Sequence, residues 1–552
     1  MLLCAIKITH DATVALSDDD NLIFSVEMEK INNNPRHSHL NYLSEVEYIL
    51  NKHGYSFDNI DVWLIDGWAD IDNRIGYNKI LFDDTYYEIN NYHNLYKNLP
   101  ENTICVFNKP PFNKYYSFSH VYAHLCSSYF TSPFAKNKEN SYVIMFDGGT
   151  KPTLYYYDAK KKCFNFCKEL LKFGGDIYPG LASRFDTFAF TRRKKNNINT
   201  FTHHFAGTVM AYIALGKYDV EVSQYMDKIY AEINQYDNTL ENDWKENRKF
   251  EDELCLKFQN TKSDKDILRT FHEFVEKKIC DNLIDTISKN NKCKNICFAG
   301  GSMLNIKWNS AIRELCLFDN IYAPPFINDS GNAIGQICAY NLTRNIESLN
   351  WDTYSGPELN EKVVKEGWIF YNSDIKKIVN IIISGEPIII LNDKAELGPR
   401  ALGNRSIIAD ARNIKMKSLL NKIKNRQSFR PIAPICLQED SKKYFIPGTT
   451  DKFMLFEHQA TELAKKEIPA VIHIDNSARL QTVLQEDNPL IYEILKEYKK
   501  VTGVSVLCNT SANNNGTGFF PDVYSAQVWG KCNYILSNSI IYEKVDKNEL
   551  IL

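Results

Sequence analysis

Two histidines four residues apart open the stretch HVYAHLCSSYF, which spans residues 120–130. Residues at positions i and i+4 project from the same face of an α-helix, so His120 and His124 can place both imidazoles on one metal ion. The rest of the stretch has the composition of a packed helix. The spacing alone leaves two interpretations open: a metal site, or two histidines that pack independently.

Two aspartates at the ends of apolar runs are candidates to complete such a site. Asp147 follows SYVIMF, and Asp329 follows APPFIN. A carboxylate that comes directly after a buried strand is held at a sheet edge that faces a cleft. Two histidines with a carboxylate suit a transition metal such as Fe(II), with coordination positions left open for a ligand.

Glycine-rich turns form a second group of candidates. FAGGSMLN places Gly300, Gly301 and Ser302 between a predicted strand and a predicted helix, where backbone N–H groups can face phosphate oxygens. FDGGT, which contains Gly148 and Gly149, can do the same from a predicted hairpin. Turns of this kind are also common structural elements, so neither identifies a nucleotide site by itself.

Asp11 lies in ITHDATVAL, where the pattern predicts the centre of a strand. A carboxylate at such a position is costly unless it is paired or takes part in chemistry. The alternative is a turn residue held by hydrogen bonds. The residue is therefore a candidate whose role depends on its surroundings.

Polar and basic residues in the C-terminal third lie beside glycine, proline and small residues. The segments are GPRALGNRS, IKNRQSFRPIAP, HIDNSARLQTV and VLCNTSANNNGTG, and the residues are Arg400, Arg405, Ser406, Lys424, Arg426, Arg430, His473, Arg479, Asn509 and Ser511. A guanidinium in such surroundings suits an anion such as a phosphate. A structural network of ion pairs is the alternative.

The hydrophobic pattern places these residues on a mixed α/β framework. The predicted elements are a hairpin around SDDD, a helix near 44–53, strands in NIDVWLID and SYVIMFDGGTKPTLYYYD, helices over 207–232 and 264–290, and strand, turn and helix in NICFAGGSMLNIKWNSAIREL. Two similar sets of strands followed by a helix indicate a duplicated layout. Because residues 346–360 lose periodicity, we predict domains over 1–345 and 361–552 joined by this linker.

Composition restricts the class of protein. With 552 residues, of which 44% are hydrophobic and 24% charged, the chain is typical of a folded protein of several domains. Its net charge of −3 gives no global signature of nucleic-acid binding. We find no secretory signal and no membrane-spanning run, which predicts a soluble cytoplasmic protein with no membrane partner. The 14 cysteines include no CxxC pair, which predicts reduced thiols.

Taken together, the segments resemble those of the O-carbamoyltransferases of the nodulation-factor and aminoglycoside-antibiotic type. The matching segments are, in order, HDATVAL, HVYAHL, FAGGSMLN, PPFINDSGNAIG, ELGPRALGNRSI, SFRPIAP, HIDNSARLQTV and LCNTSANNNGTG. The GPRALGNRS and NTS boxes are highly specific, and the histidine pair is specific in their company. The resemblance implies an N-terminal duplicated ASKHA-type domain, related to actin-like ATPases, followed by a YrdC-like domain.

The resemblance also implies a reaction. In this family carbamoyl phosphate and ATP give carbamoyl-adenylate and pyrophosphate in the YrdC-like domain. The ASKHA-type domain then transfers the carbamoyl group to an acceptor hydroxyl and releases AMP. We expect Mg²⁺ to accompany ATP, and we expect Asp11, or in second place His39, to remove the hydroxyl proton.

Individual residues carry over from the family by their motifs. The implied ligands of Fe(II) or another divalent transition metal are His120, His124, Asp147 and Asp329. The implied nucleotide-facing turns contain Gly148, Gly149, Gly300, Gly301 and Ser302. The implied contacts to ATP and carbamoyl phosphate are Arg400, Lys424, Arg430, Arg479 and Ser511.

The chain departs from the family where the acceptor should bind. It reads FAGTVMAYIALG at 205–216 without the family's preceding Glu-Tyr-Lys element, and RHSH keeps Arg36 and His39 but has Ser38 in place of a lysine. A run of four cations precedes this region. The candidate acceptor contacts are therefore Arg36, Arg192, Arg193, Lys194 and Lys195.

Two classes of acceptor follow from these departures. One is a hydroxyl of a small molecule or sugar of secondary metabolism; the other is a 5-hydroxymethylpyrimidine in DNA, such as 5-hydroxymethylcytosine, as in phage-type enzymes of the family. The basic run at 192–195 is alternatively a solvated loop. The alternative to an enzyme is a non-catalytic protein that binds nucleotides. The sequence leaves the oligomeric state open, a homodimer included.

Overall fold

The computed structural model describes residues 1–67, 79–82, 84–89, 104–188, 205–233, 240–289, 291–360 and 364–546. The chain divides into two compact units. The first comprises Met1–Ile23 and His39–Trp351, and the second comprises Phe24–Ser38 and Asp352–Leu552. The division after Trp351 falls inside the predicted linker 346–360, whereas no sequence pattern indicated that residues 24–38 belong to the second unit.

The strands up to residue 322 form two large sheets and one small one. They are β1 (Leu2–Lys7), β2 (Thr13–Asp18), β3 (Asn21–Glu27), β4 (Val62–Ile65), β5 (Lys79–Phe82), β6 (Thr85–Glu88), β7 (Cys105–Phe107), β8 (Tyr115–Ser117), β9 (Ser141–Met145), β10 (Thr153–Asp158), β11 (Cys163–Glu169), β12 (Asn295–Ala299) and β13 (Asn320–Tyr322). One sheet has the order β3-β2-β1-β4-β8-β7, the other β11-β10-β9-β12-β13, and β5 pairs with β6.

The two large sheets repeat one topology. In each, three consecutive strands form a meander whose first strand, β1 or β9, lies inside the sheet. That strand then pairs in parallel with a later one, β4 or β12. A parallel pair needs a crossover connection, which here contains helices. The first unit is therefore α/β with the duplicated layout that we predicted and that an ASKHA-type domain requires.

The helices up to residue 343 include the predicted ones, although the predicted helix 207–232 is divided in two and the helices Leu240–Phe258 and Asn332–Thr343 were not predicted. They are Leu43–Lys52, His120–Phe130, Pro133–Lys136, Ile177–Ala182, Ala206–Tyr212, Val220–Ala231, Leu240–Phe258, Asp264–Lys289, Ile306–Glu314 and Asn332–Thr343. Across the described part of the chain, every helix is too short or too polar to span a membrane. All 14 cysteines are free thiols, as predicted.

The prediction that Asp11 lies at the centre of a strand is wrong. β1 ends at Lys7 and β2 begins at Thr13, and Asp11 occupies the turn between them with a φ of 55°. Aspartate tolerates this left-handed conformation better than most residues. The Thr13 hydroxyl donates a 2.9 Å hydrogen bond to the Asp11 carbonyl oxygen. The turn thus places Asp11 at the end of the sheet.

The second unit contains an eight-stranded sheet of order β14-β24-β23-β15-β16-β22-β17-β21 and a small sheet β18-β19-β20. The strands are β14 (Trp368–Asn372), β15 (Ile388–Leu391), β16 (Arg405–Asp410), β17 (Ala433–Leu437), β18 (Phe445–Ile446), β19 (His458–Ala460), β20 (Ser477–Ala478), β21 (Gln481–Val483), β22 (Val506–Ser511), β23 (Tyr534–Ser537) and β24 (Ile540–Lys544). The helices are Ile375–Ile383, Lys415–Ile423, Ser441–Tyr444, Glu462–Glu467, Pro489–Thr502 and Val523–Trp529.

A continuous apolar core supports this larger sheet. β15 is fully buried and reads IIIL, and the helix Ile375–Ile383 buries Ile378, Val379 and Ile382 in the same core. Burial of each such aliphatic side chain contributes about 1.5–3 kcal/mol. The core fixes the sheet, and the loops at the strand ends carry the polar residues considered below.

Candidate active sites in the two units

The helix His120–Phe130 is buried along its whole length, which fixes both histidines. It crosses the helix Asn332–Thr343 at Gly335, where a Cβ atom would lie 2.0 Å from the carbonyl oxygen of Ala123. Only a residue without a side chain allows two backbones to approach so closely. The crossing brings Asp329, which opens the short 3-10 turn before the second helix, to the histidines.

Four side chains converge at this crossing. One donor atom from each of His120, His124, Asp147 and Asp329 lies within 4.8 Å of the others. Asp329 Oδ1 is 3.3 Å from His124 Nε2 and 3.7 Å from His120 Nε2. Asp147 Oδ2 is 3.8 Å from His120 Nε2. The metal-ligand set implied by the sequence is therefore assembled in one buried pocket.

The donor set fits a divalent transition metal. Neither ring nitrogen of the buried His124 forms a hydrogen bond with any described residue. Buried polar groups normally have a partner, and a metal ion is a partner for an imidazole that faces carboxylates. Two imidazoles and two carboxylates are the ligand types that Fe(II), Zn²⁺ and related ions accept.

Neighbouring side chains orient these candidate ligands. His120 Nδ1 lies 2.8 Å from Asp66 Oδ2, and Gln336 Nε2 donates to the other Asp66 oxygen at 3.3 Å. Lys7 Nζ and His10 Nε2 lie 3.0 and 3.1 Å from Asp329 Oδ2. Because His120 Nδ1 and Asp329 Oδ2 contact these neighbours, His120 Nε2 and Asp329 Oδ1 face the pocket. Metal ligands are commonly oriented by outer side chains in this way.

The electrostatics of the pocket favour a cation. Burial by itself lowers the pKa of His120, but the carboxylates of Asp66 and Asp329 raise it to about 10. Burial raises the pKa of Asp329, but Lys7, His120 and His10 hold that pKa well below its usual range. A pocket that stabilises a proton on a histidine also stabilises a metal ion beside ionised carboxylates.

The two glycine turns flank Asp147. Gly148 and Gly149 follow it directly, and Gly300 has a φ of 93°, with a Cβ position only 2.4 Å from the Phe146 carbonyl oxygen. The N–H groups of Gly300, Gly301 and Ser302 donate to Ile327 O, Asp147 Oδ1 and Phe146 O, at 2.9, 2.8 and 3.0 Å. These amides donate within the protein, and the Gly301 amide holds the Asp147 carboxylate. The nucleotide-facing role of the two turns stays a prediction from the sequence.

The two candidate bases lie beside the pocket. Burial lowers the pKa of His39, and His10 and Lys7 lower it further, to about 4. The negative charge of Asp11 acts to raise the pKa values of both His39 and Lys7. Since Lys7 and His10 contact Asp329, both candidate bases adjoin the proposed metal ligands. A histidine with this pKa is neutral at pH 7, the form that accepts a proton.

The second unit gathers its cations in one place. Burial lowers the pKa of Arg400 well below its usual range, and Arg479, Arg36 and Arg430 lower it further. Burial first, and like charges second, lower the pKa values of Arg430 and Arg479 to about 10 each. The carboxylate of Asp451 opposes this effect on Arg400 and Arg479. Cations whose charges lower one another's pKa values form a positive cluster, which suits a polyanionic ligand.

Lys424 and Ser511 adjoin this cluster, but Lys424 is engaged within the protein. Its ammonium donates to the Ser511 carbonyl oxygen at 2.7 Å, to the Asn513 carbonyl oxygen at 2.5 Å and to the Asn513 side-chain oxygen. The Ser511 hydroxyl donates to the same side-chain oxygen at 2.6 Å. In this arrangement Lys424 positions the loop after β22, which carries Ser511.

Arg405 has a different role from Arg400 although both lie in the GPRALGNRS box. Its guanidinium is buried and donates to the backbone carbonyl oxygens of Asn392, Asn404, Pro357 and Asp393, at 2.7, 3.0, 3.3 and 2.8 Å. Arg405 therefore has a structural role, because its hydrogen bonds link neighbouring backbone segments to β16.

The candidate acceptor contacts separate from one another. Arg36 belongs to the second unit and lies among its cations, whereas His39, three residues later, belongs to the first. Residues 192–195 lie outside the described part of the chain. Their suggested contact with DNA therefore stays a prediction from the sequence.

Sequence reasoning missed three residues that support the metal pocket: Lys7, His10 and Asp66. Asp66 follows the apolar strand β4, which is the same signal that identified Asp147 after β9. His10 is adjacent to Asp11, and Lys7 is a charged residue in the buried strand β1. All three are polar or charged residues within predicted buried strands, and that signal could have identified them as candidate site residues.

Two family models match the chain. "Carbamoyltransferase N-terminus" matches residues 2–338, and "Carbamoyltransferase C-terminus" matches residues 379–535. Nodulation protein U of Rhizobium tropici is 36% identical over 569 residues, which cover 100% of this chain and 97% of the relative. The 3'-hydroxymethylcephem-O-carbamoyltransferase of Amycolatopsis lactamdurans is 27% identical over 537 residues, which cover 94% of each chain.

Similarity to solved structures is much weaker. The activator of 2-hydroxyisocaproyl-CoA dehydratase from Clostridium difficile aligns with a TM-score of 0.32 and 11% identity over 64% of this chain and 100% of that chain. A TM-score this low carries no functional argument. The first family model, in contrast, covers more than half of the chain, and the relative from Rhizobium tropici aligns along its whole length. The chain therefore belongs to the carbamoyltransferase family.

Proposed function

We propose that this protein is an ATP-dependent O-carbamoyltransferase that acts on a hydroxyl group of a small molecule or sugar. The observation that carries the proposal is the pair of sites: a buried pocket of two histidines and two aspartates in one unit, and a cluster of cations in the other. The name of the cephem relative, which specifies O-transfer to a hydroxymethyl group, supports a hydroxyl acceptor.

The second unit, which we regard as YrdC-like, would form the carbamoyl-adenylate. Water cleaves carbamoyl phosphate to carbamate and phosphate; a carbamate oxygen then attacks the α-phosphorus of ATP and displaces pyrophosphate, so one water balances the sequence. Both substrates are polyanions, and we assign Arg400, Arg430 and Arg479 to offset the repulsion between them. Mg²⁺ accompanies ATP.

The first unit would carry out the transfer. The hydroxyl oxygen of the acceptor attacks the carbonyl carbon of the carbamoyl-adenylate, the bond from that carbon to AMP breaks, and the hydroxyl proton passes to a base. Asp11 is the first candidate base because it lies in the turn beside Lys7. His39 is the second because its pKa of about 4 keeps it neutral at pH 7.

The metal pocket belongs to this second step. A bound divalent transition metal, Fe(II) in our first expectation, would supply positive charge that offsets the charge of departing AMP. His120, His124, Asp147 and Asp329 would hold the ion. The protein's own contribution is orientation, because contacts to Asp66 and Lys7 aim His120 and Asp329 into the pocket.

The test is incubation of the full chain with ATP, Mg²⁺, Fe²⁺ and carbamoyl phosphate. AMP release is followed without acceptor, then with sugars and small alcohols, and then with DNA that contains 5-hydroxymethylcytosine. We expect AMP release to rise with a sugar or small alcohol whose mass gains one carbamoyl group in place of one hydrogen. Stimulation by the DNA alone would replace our acceptor class, and no AMP from folded, metal-loaded protein would refute the transferase itself.

A further inference from the structure

The segment Phe24–Ser38 is built into the second unit although residues 39–351 separate it from the rest of that unit. Pro35 pairs in antiparallel fashion with Thr517. The Arg36 N–H donates to the Gly516 carbonyl oxygen at 3.0 Å, and the Gly518 N–H donates to the Asn34 carbonyl oxygen at 2.9 Å. These bonds join the segment to the loop that follows Ser511.

A buried ion pair joins the same segment to the loop that carries Arg400. Lys30 Nζ donates to Glu27 Oε1 at 2.6 Å and to the carbonyl oxygens of Glu396 and Gly398, both at 2.7 Å. The Gly398 N–H donates to the same Glu27 oxygen at 2.8 Å. Buried charges are costly unless every donor and acceptor is satisfied, and here the contacts fix the loop two residues before Arg400.

Arg36 belongs to the first of these two anchors and is partly buried. Its positive charge lowers the pKa values of Arg400, Arg430, Arg479 and Lys424. A fifth cation adds repulsion to an already positive cluster, and that cost is recovered when a polyanion binds. Its backbone is fixed on both sides, because the Gly518 N–H donates to the Asn34 carbonyl oxygen and the His37 N–H donates to Glu29 Oε2 at 2.9 Å.

We infer that Arg36 is a substrate-binding residue of the anion site in the second unit and contacts the phosphate groups of ATP or carbamoyl phosphate. This inference rests on the proposed function and changes one part of it, because the sequence had assigned Arg36 to the acceptor. It also makes Phe24–Ser38 a functional part of the adenylate-forming unit.

The experiment measures the adenylate-forming step alone, as exchange of labelled pyrophosphate into ATP that depends on carbamoyl phosphate. The full-length variants are Arg36→Ala, Arg36→Gln and Arg36→Lys, with Lys500→Ala as a matched loss of an exposed cation. We expect Arg36→Ala and Arg36→Gln to raise the KM for ATP or for carbamoyl phosphate about tenfold or more. Whichever KM rises identifies the phosphate contacted. Arg36→Lys should recover part of the loss, and Lys500→Ala should leave both values unchanged.

Several outcomes would overturn the inference. Unchanged KM values for both substrates in folded Arg36→Ala would do so, as would a defect confined to the acceptor's KM. Circular dichroism reports the fold, and Arg36→Gln replaces the alanine variant if that one does not fold. If wild type shows no exchange, the proposed function fails, and calorimetric binding of inorganic pyrophosphate then decides separately. Weaker binding to Arg36→Ala than to wild type supports the anion site, and equal binding refutes it.

Discussion

The two candidate sites carry charges of opposite sign. In the first unit Asp66, Asp147 and Asp329 surround the histidine pair, and Lys7 compensates part of their charge. In the second unit the arginines lower one another's pKa values, and Asp451 is the carboxylate that opposes them. The first pocket therefore favours a cation and the second an anion.

The difference explains why the two steps of the reaction are assigned to separate units. Without its anion, a cationic cluster suited to triphosphate repels a free metal ion, and without its metal, an acidic pocket repels ATP. Variants that remove one charge should therefore affect the two sites independently.

The largest expected effect is a separation of the two half-reactions. Arg400→Ala should lower carbamoyl-phosphate-dependent pyrophosphate exchange about 10²–10³-fold, because it removes a preorganised cation, and should leave metal content unchanged. His124→Ala should lose the metal and acceptor-dependent AMP release but keep the exchange. Metal analysis and both assays on each variant check this, with Lys500→Ala as the control. Loss of exchange in His124→Ala would contradict the independence of the sites.

The next effect is on stability, and its sign should differ between the units. Asp329→Asn leaves Lys7 buried without its carboxylate and should lower the free energy of unfolding by about 3–5 kcal/mol. Arg479→Met relieves repulsion and should raise the Tm of ligand-free protein by about 2–4 °C, equivalent to about 1 kcal/mol. Thermal unfolding of both variants without ligands is the measurement. A lower Tm for Arg479→Met would mean that the cluster is already compensated.

A smaller effect should follow from loosening one metal ligand. Asp66→Asn removes the carboxylate that orients His120 and should lower metal affinity about 10–100-fold. Competition between the protein and a chromophoric chelator for Co²⁺ gives the affinity without reference to turnover. Asp58→Asn, at an exposed position in the same unit, is the matched control. Equal affinity in the two variants would show that Asp66 does not orient His120.

The smallest expected effect is a change in pH dependence. The folded-state pKa of His39 is about 4, below its ordinary value of 6.5, so between these values the unfolded chain binds a proton that the folded chain does not. Stability should therefore be highest above pH 6.5 and fall as the pH drops toward 4. His39→Gln should lose less stability than wild type between pH 7 and pH 5 in urea titrations. Equal losses would place His39 in a more polar environment than its neighbours His10 and Lys7 suggest.

Local patterns predicted the metal pocket better than the anion site. The helix His120–Phe130 has the bounds that its sequence indicated, and Asp147 follows β9 closely as predicted. Contrary to the prediction, Asp329 does not follow a strand: β13 ends at Tyr322, and Asp329 opens a 3-10 turn. These signals are local because helix period and strand ends are set by adjacent residues. The polar run around Asp11 was misread for the same reason: a left-handed turn between two strands leaves no periodic signature.

Tertiary structure supplied what the sequence could not. Arg400 and Arg405 lie in one motif, yet one joins the cation cluster and the other binds carbonyl oxygens. Arg36 reaches that cluster from the opposite end of the chain. No periodicity or spacing encodes such a contact, because it depends on how distant segments pair. Motif resemblance therefore identified the family and grouped the four candidate metal ligands, which the structure brings together, but it did not group Arg36 with the cations of the second unit.

The membership of Phe24–Ser38 in the second unit has a consequence for synthesis of the protein. During translation this segment leaves the ribosome long before its partners around Thr517 do. The second unit can therefore complete its fold only after the polypeptide has been made as far as Thr517. For the same reason, a single cut in the gene after the codon for Trp351 would not yield two complete units.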